Sequence, residues 1–263
     1  DCVSGICERW SDLPEERGRC IDEALICYVD AKAVAGGDGS RAKPFATINS
    51  CLGIQAAHIV VAPGSYAEDL PLTYDVTIVG HGAGTLRDAE GHVKPKAAVG
   101  VVKHGVVIAT GRTIRLAGLR IVAHPAAKPE AIFGKDGTKP PLAASIELQD
   151  VFISDTQFAH FHAERATFLD VETFSTSLRV YGPKARVIMR GVLHAGSFLG
   201  GISVWSTDGE VDLHDIDLSS VEGGIRIQGA KRFRASKITV DSGYYQGFSV
   251  GKGVRGTITN LLM

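Results

Sequence analysis

Two acidic side chains, Glu172 and Asp217, stand at equivalent outward positions of a sequence repeat and could act together as acid and base. If the repeat forms stacked parallel strands, the two residues lie two coils apart, about 9.6 Å from the usual strand spacing. That separation is close to the ~6.5–9.5 Å between the carboxyl groups of inverting glycosidases. Any two acids placed two coils apart would share this spacing, so it marks Glu172 and Asp217 as candidates without establishing catalysis.

A second set of side chains could recognise a sugar polymer through aromatic rings and positive charges. Aligning LRVYG (178–182) with ISVWS (202–206) and IRIQG (225–229) puts arginines in one outward row and aromatic residues in the next. Aromatic rings stack on sugars, and guanidinium groups pair with carboxylate or sulfate. The glycan-binding candidates are therefore Arg179, Tyr181, Trp205, Arg226 and Gln228. The alternative is an ordinary sheet face in which Trp205 shields the backbone.

The cysteines crowd into the first fifth of the chain, which predicts a disulfide-stapled segment over residues 1–27. Disulfides persist in oxidising compartments, so this pattern favours a secreted, periplasmic or cell-surface location. A zinc cluster is the alternative, but no CxxC pair or suitably spaced histidine supports it. The odd number of cysteines leaves one free, or paired outside this chain. The disulfide candidates are Cys2, Cys7, Cys20, Cys27 and Cys51.

Cofactor chemistry has little support in the sequence. Asp212, Asp215 and Asp217 offer the hard oxygen ligands that calcium prefers, but no loop would gather them around an ion. His160 and His162 alternate around Phe161 and could both face outward, yet no serine or cysteine nucleophile is marked beside them. We therefore expect no cofactor, with calcium as the alternative.

Composition excludes several classes of partner. The 263-residue chain has a formal net charge of −1 and 44% apolar residues, and its charges of both signs are interspersed. That balance argues against an electrostatic nucleic-acid binder. The apolar runs are only a few residues long, so we expect no insertion into a membrane.

The elements that would position these side chains come from a repeat. Segments with apolar residues at positions a, a+2, a+5 and a+7 recur, mostly every 20 to 24 residues, over the range 114–263. A second motif, GISV, GIRI and GFSV, keeps step with them every 23 residues. Period-two alternation on both sides of a break means two short strands that meet at a bend. Such a coil must stack on its neighbours to bury its inner face, which predicts an all-β solenoid of parallel strands.

Position a+4 identifies the bend. Glycine, asparagine and aspartate adopt the left-handed backbone conformation at low cost, so this position should turn the strand. Lys237 is the exception and should be the most strained member of the row. The occupants are Gly118, Asp150, Asp170, Gly191, Asp215, Lys237 and Asn260.

With this repeat and the opening stretch YVDAKAVAGGDGSRAKPFATINSCLG, the chain over residues 28–263 resembles the right-handed parallel β-helix proteins of the pectin-lyase-like superfamily. The resemblance implies a strand, a glycine-rich loop and a helix over ATINSCLGIQ that caps the apolar end of the solenoid. It also makes HIVVAPGSYAEDL a strand turning at Pro63-Gly64, with VTIVG as the next strand of that coil. The superfamily holds lyases, hydrolases, esterases, adhesins and phage spikes, so it does not fix one function.

Specific enzyme motifs are incomplete. GSYAE (64–68) matches the G-x-Y-x-E motif of pectin methylesterases, but the partner motifs of that family do not follow in order. The motif is therefore interpreted as a turn with a packed tyrosine. We expect a secreted or surface-exposed β-helix that binds a glycan or cell-surface polymer. The alternatives are a polysaccharide lyase or glycoside hydrolase acting on acidic polysaccharide, and a structural or adhesive stalk.

The last repeat, GTITNLLM (256–263), should present an open sheet edge. Apolar side chains at Ile258, Leu261 and Met263 would lie on its rim, and unpaired strands are prone to associate. We therefore expect this coil to be covered by another copy, by a partner or by a further segment of chain.

Overall fold

The computed structural model describes most of the chain. The described residues are 7–8, 19–80, 97–101, 106–108, 111–123, 142–155, 158–182, 184–195, 201–206 and 208–263. Cys2 and residues 81–96 and 124–141 lie outside them.

The N-terminal part contains the only helices among the described residues. A short 3-10 helix spans Glu23–Leu25, and α-helix α1 spans Ile48–Gly53. The strands of this part are β1 (Cys7–Glu8), β2 (Arg19–Cys20), β3 (Ile26–Val29), β4 (His58–Val61), β5 (Gly64–Ala67), β6 (Leu70–Leu72), β7 (Val76–Gly80), β8 (Ala97–Val101) and β9 (Val106–Ile108).

The described elements after β9 are all strands. They are β10 (Thr113–Ala117), β11 (Leu119–Ala123), β12 (Ser145–Gln149), β13 (Phe152–Ser154), β14 (Phe158–His162), β15 (Arg165–Leu169), β16 (Glu172–Phe174), β17 (Ser177–Tyr181), β18 (Arg186–Ala195), β19 (Ile202–Trp205), β20 (Glu210–Gln228), β21 (Arg232–Val250) and β22 (Arg255–Leu262). The described chain is thus an all-β parallel solenoid, as the repeat predicts.

Strands stack in three columns that run along the solenoid axis. The first column is β3, β4, β7, β10, β12 and β15, continued by the beginnings of β18, β20, β21 and β22. The second starts at β5, β8, β11, β13 and β16, and the third contains β14, β17 and β19. Every pairing from β3 onward is parallel, so equivalent repeat positions meet in rows.

The predicted bend row is confirmed. Its seven members all have positive φ, from 50° at Asp150 to 61° at Gly191, and Lys237 has φ 52°. A left-handed residue reverses the side-chain alternation at one position, which lets each strand turn from the first column to the second. A further bend that the repeat did not reveal follows the second column, at Asp155 (φ 61°) and Ser175 (φ 52°).

The core fills the inside of the coils. The repeat predicts buried inward side chains at Leu148, Val151, Leu213, Ile216, Ile225 and Ile238, and these six are at most 1% exposed. The same pattern predicts exposed side chains at the outward positions Glu147, Asp212 and Arg234. This is confirmed for Arg234 and wrong for Glu147 and Asp212, which are half-buried. Side chains in adjacent rungs flank each outward position, and Glu147 also accepts a 3.2 Å hydrogen bond from Arg115 Nε one coil away.

Helix α1 lies against the first coils and is anchored to them. Thr47 caps its N-terminus, while Ile48 and Leu52 are buried. A disulfide joins Cys27 on β3 to Cys51 on the helix, so two of the cysteines bridge the first strand and the capping helix. The antiparallel pair β1–β2 brings the backbone of Cys7 opposite that of Cys20.

The GSYAE stretch has a structural role in this cap. The Tyr66 hydroxyl donates to the carbonyl oxygen of Ala62 and accepts from the Ala31 N–H. The Glu68 carboxylate accepts the N–H groups of Ile48 and Asn49, each at 2.8 Å. The packed tyrosine is confirmed, but GSYA forms the strand β5 and not a turn. Glu68, which follows β5, joins this part of the chain to the start of α1.

One coil assignment from the sequence is wrong. VTIVG, which forms β7, pairs in parallel with β4, with Ile59 opposite Ile78. It therefore opens the next coil and is not the second strand of the coil that begins at β4. The strand β5, Gly64–Ala67, takes that place and pairs with β8. The turn at Pro63-Gly64 was predicted, but the residues after it were not recognised as a separate strand.

The last strand, β22, pairs with β21 on one side, and its residues are exposed. Ile258, Leu261 and Met263 are 38%, 36% and 73% exposed, as expected for the rim of an open coil. No helix in the described residues is long and apolar enough to cross a membrane.

Candidate functional site

The third column of strands carries the two rows of candidate glycan-binding residues in the predicted register. Arg179 on β17, Ser203 on β19 and Arg226 on β20 are successive partners, and we call them the arginine row. Because side chains two residues apart on a strand share a face, a second row lies directly beside it.

This second row consists of stacked rings. Tyr181 pairs with Trp205, and Trp205 with Gln228. The structure adds His162 on β14, which pairs with Tyr181 at the other end. We call His162, Tyr181 and Trp205 the aromatic ladder, and the ladder with the arginine row the ladder face.

The rings of the aromatic ladder lie nearly parallel along the solenoid axis. The centroids of His162 and Tyr181 are 4.7 Å apart with an interplanar angle of 7°, and those of Tyr181 and Trp205 are 4.7 Å apart at 3°. This spacing matches the distance between neighbouring strands, so the parallel backbone sets the stack. Both faces of the Tyr181 ring are consequently covered by its neighbours.

Polar and charged groups tie the ladder at both ends. The Trp205 indole N–H donates to the side-chain oxygen of Gln228. The Arg179 guanidinium lies 5.9 Å from the centroid of the Trp205 ring, within the range of a cation–π contact. His160 makes an edge-on contact with Tyr181, with ring centroids 5.6 Å apart. The ladder is therefore a preorganised surface.

The first ring of the ladder is held neutral. Burial, with a smaller effect of the neighbouring His160, lowers the pKa of His162 from 6.5 to about 4. Desolvation disfavours the charged imidazolium, so at neutral pH the ring stacks on Tyr181 uncharged. The positive charge of the ladder face therefore comes from Arg179 and Arg226.

The chemistry open to this face follows from its ring orientation. Tyr181, Trp205 and Gln228 are half-buried, and Arg226 is exposed. Since the rings cover one another, a ligand along the axis meets ring edges, the tyrosine hydroxyl and guanidinium groups in preference to a free face of Tyr181. These groups donate hydrogen bonds and pair with anions.

The acid pair occupies one row of the second column, as the repeat predicts. Glu172 on β16 pairs with Leu193, and Leu193 pairs with Asp217 on β20. Glu172 is half-buried and Asp217 is exposed. Leu193 separates the two carboxyl groups, and neither acid lines the grooves defined by the described residues near the C-terminal coils.

The calcium alternative finds no support in the described part of the chain. No group of three or more histidine, cysteine, aspartate or glutamate side chains there could hold a metal ion. Asp215 is the left-handed bend residue between the strand positions of Asp212 and Asp217. The three aspartates thus belong to successive parts of one bent strand and do not converge.

Sequence reasoning left two contributions unassigned. His160 and His162 were recognisable as an outward pair. Both precede their partners, Arg179 and Tyr181, by the same number of residues, and this spacing could have revealed the alignment. Glu68 was hidden because the sequence of GSYAE does not reveal which backbone groups lie above it. Its half-buried carboxylate belongs to the cap and not to the ladder face.

Comparisons with models of known protein families, with curated proteins and with solved structures found no significant match to this chain.

Proposed function

We propose that the ladder face binds an acidic polysaccharide and that the chain is a non-catalytic glycan-binding solenoid. The observation that supports this most is the arginine row lying beside the aromatic ladder on one face. The two rows offer positive charge and ring edges side by side along the whole width of three coils. An extended sugar chain lying parallel to the solenoid axis could contact both rows at once.

The repeat distances support a polymer as the ligand. Rings of the aromatic ladder recur every 4.7 Å, which is comparable to the length that one sugar adds to an extended chain. Arg179 and Arg226 are two coils apart, about 9.6 Å by strand spacing. They could therefore pair with carboxylates on alternate sugars, while the Tyr181 hydroxyl bonds to a sugar hydroxyl.

We further propose that the chain belongs with the pectin-lyase-like β-helix proteins and works outside the cell or on its surface. The parallel solenoid with a capping helix supports the first part. The Cys27–Cys51 disulfide supports the second, since such bonds persist in oxidising compartments.

Binding to polygalacturonate, with neutral dextran as the comparison polymer, tests the proposed function. The double variant Arg179→Gln/Arg226→Gln should weaken retention by on the order of tenfold, because it removes two charge-assisted contacts. Arg112→Gln is the matched control, since Arg112 is exposed on a turn before β10, away from the ladder face. Equal retention of the double variant and the control would overturn the proposal.

The same samples distinguish an enzyme from a binding protein. A polysaccharide lyase or hydrolase would shorten the polymer, and Glu172→Gln or Asp217→Asn would abolish that activity. Shortening that depends on these acids would replace the binding proposal, whereas retention without shortening supports it.

A further inference from the structure

A groove of about 850 Å³ lies at the last two coils, and none of its lining residues belongs to the ladder face. Its floor is formed by Arg232, Phe233 and Arg234 on β21 and by Arg255 to Thr257 on β22. The turns 229–231 and 252–254 form its wall. These turns follow the third column directly, so the groove occupies the corner between the third and first columns.

The groove is strongly positive. Among the described residues that line it, five carry a positive charge and Asp208 is the one acid. All five cations are exposed, and in the described part of the chain none of them has a salt-bridge partner. They are Lys231, Arg232, Arg234, Lys252 and Arg255. The groove therefore has a local excess of positive charge, although the net charge of the whole chain is −1.

The cations stand close enough together to act on one ligand. Arg232 is the direct cross-strand partner of Arg255, about 4.8 Å away at the backbone. Arg234 follows Arg232 on the same face of β21, roughly 7 Å along the strand. Like charges at these distances repel one another, and an anion in the groove removes that repulsion. The arrangement is therefore an anion site in its charge and in its shape.

We propose that this groove binds the sulfate esters of a sulfated oligosaccharide. Three arginines on neighbouring positions of two paired strands can together surround a group with several acceptor oxygens, which a sulfate ester supplies and a single carboxylate supplies less fully. The groove is a site separate from the ladder face, so it stands or falls independently of the function proposed above.

The acids around the groove limit the length of the anion. Glu210 is the cross-strand partner of Arg232, and Asp212 that of Arg234, on the side toward the preceding coils. A smaller adjoining cavity of about 140 Å³ is lined by both acids together with Arg186, Arg232 and Arg234. A long, uniformly charged nucleic acid would meet these carboxylates, whereas a short sulfated segment ends before them. The sulfated glycan is therefore favoured over nucleic acid.

Calorimetry with a heparin-derived hexasaccharide tests the proposal at about 0.15 M salt, where long-range surface electrostatics are largely screened. The double variant Arg232→Gln/Arg255→Gln should bind on the order of tenfold more weakly or worse. Arg234→Gln alone should weaken binding by a smaller factor. Arg112→Gln controls for the loss of one exposed charge elsewhere. The melting temperature of each variant verifies that it is folded. Because the three arginines are exposed, we expect the variants to fold, and Arg234→Gln tests the groove with only one substitution.

Four results would overturn the proposal. The first is a wild-type protein that does not bind the hexasaccharide, and the second is a double variant that binds as tightly as wild type. The third is equal affinity for the desulfated hexasaccharide, and the fourth is tighter binding of a single-stranded oligonucleotide. Because the polygalacturonate assay uses different arginines, loss of hexasaccharide binding with intact polygalacturonate retention identifies the groove specifically.

Discussion

The ring of Tyr181 lies face to face with the indole of Trp205 one coil along, with centroids 4.7 Å apart and planes 3° apart. Aromatic pairs contribute about 0.5–1.5 kcal/mol beyond their buried area. We therefore expect a double-mutant cycle of Tyr181→Ala and Trp205→Ala, followed by urea unfolding, to give a coupling energy of that size. Trp205→Ala should consequently lower stability as well as change the surface.

A matched cycle on Arg112→Ala and Trp205→Ala should show additive effects, because these side chains are not neighbours. Additivity in the Tyr181–Trp205 cycle as well would mean that the ladder does not stabilise the fold.

The depressed pKa of His162, about 4 against 6.5 for an ordinary histidine, predicts a pH-dependent ladder. Between these two values the unfolded chain binds the proton and the folded chain does not, so the stability contributed by the neutral ring is complete above about 6.5 and is lost as the pH falls toward about 4. NMR titration of the imidazole should give a midpoint near 4 in the folded protein and near 6.5 in urea. A folded-state midpoint near 6.5 would contradict the stacked, desolvated ring.

The cap should depend on Glu68. Removing its carboxylate by Glu68→Ala leaves the N–H groups of Ile48 and Asn49 without this acceptor, at a cost of about 1–3 kcal/mol. Chemical denaturation measures the loss, and the exposed Glu164→Ala serves as the control. Equal stability of the two variants would show that the tie to α1 is dispensable.

The same carboxyl gives a pH dependence of known sign. Burial raises the pKa of Glu68 above 4.5, against the opposing effect of its two backbone hydrogen bonds. The folded state therefore holds this proton more tightly, and the contribution of Glu68 to stability is largest below 4.5 and falls as the pH rises through the raised value. As the pH rises, the melting temperature of the wild type should therefore fall relative to that of Glu68→Gln. A wild-type melting temperature that instead rises relative to Glu68→Gln would show that the pKa of Glu68 is lowered in the folded state.

Replacing Lys237 should increase the stability of the protein. It holds the bend conformation at φ 52°, where asparagine is better tolerated. Lys237→Asn should stabilise the protein by about 0.5–1 kcal/mol, read as a higher melting temperature. Lys184→Asn, at an exposed turn position without positive φ, should be close to neutral. A loss of stability in Lys237→Asn would show that the lysine side chain makes a compensating contact.

Ile216 tests the core. Its side chain is 1% exposed, so Ile216→Ala should cost about 2–5 kcal/mol in unfolding free energy. Asp212→Ala, on the outward side of the same strand, should change stability by less than about 0.5 kcal/mol. A small effect of Ile216→Ala would mean that the interior collapses around the cavity.

Most of the fold, and the register of the candidate site, could be predicted from the sequence repeat. Parallel stacking places equivalent positions in one row, so the pattern alone predicted that Arg179 aligns with Arg226 and Tyr181 with Trp205. The pattern also predicted the bends, since glycine, asparagine and aspartate adopt the left-handed conformation at low cost. Lys237, in the same row, adopts the left-handed conformation as well.

Spacing could not predict the connections between coils. Turns and insertions vary in length without changing the inward positions, so VTIVG was assigned to the wrong coil. The acceptor for the N–H groups of α1 could not be predicted either, because Glu68 is distant in sequence from the helix residues that it contacts.

By itself the sequence determined the parallel solenoid, its bends, its inward side chains and the rows on its surface, because each depends on residue type at a repeated position. Only the tertiary structure decided that the rings of Tyr181 and Trp205 cover one another and that Cys27 meets Cys51. It also decided that Arg232, Arg234 and Arg255 share one groove. These features depend on side-chain rotamers and on contacts across the corners of the coils, where no repeat constrains the chain.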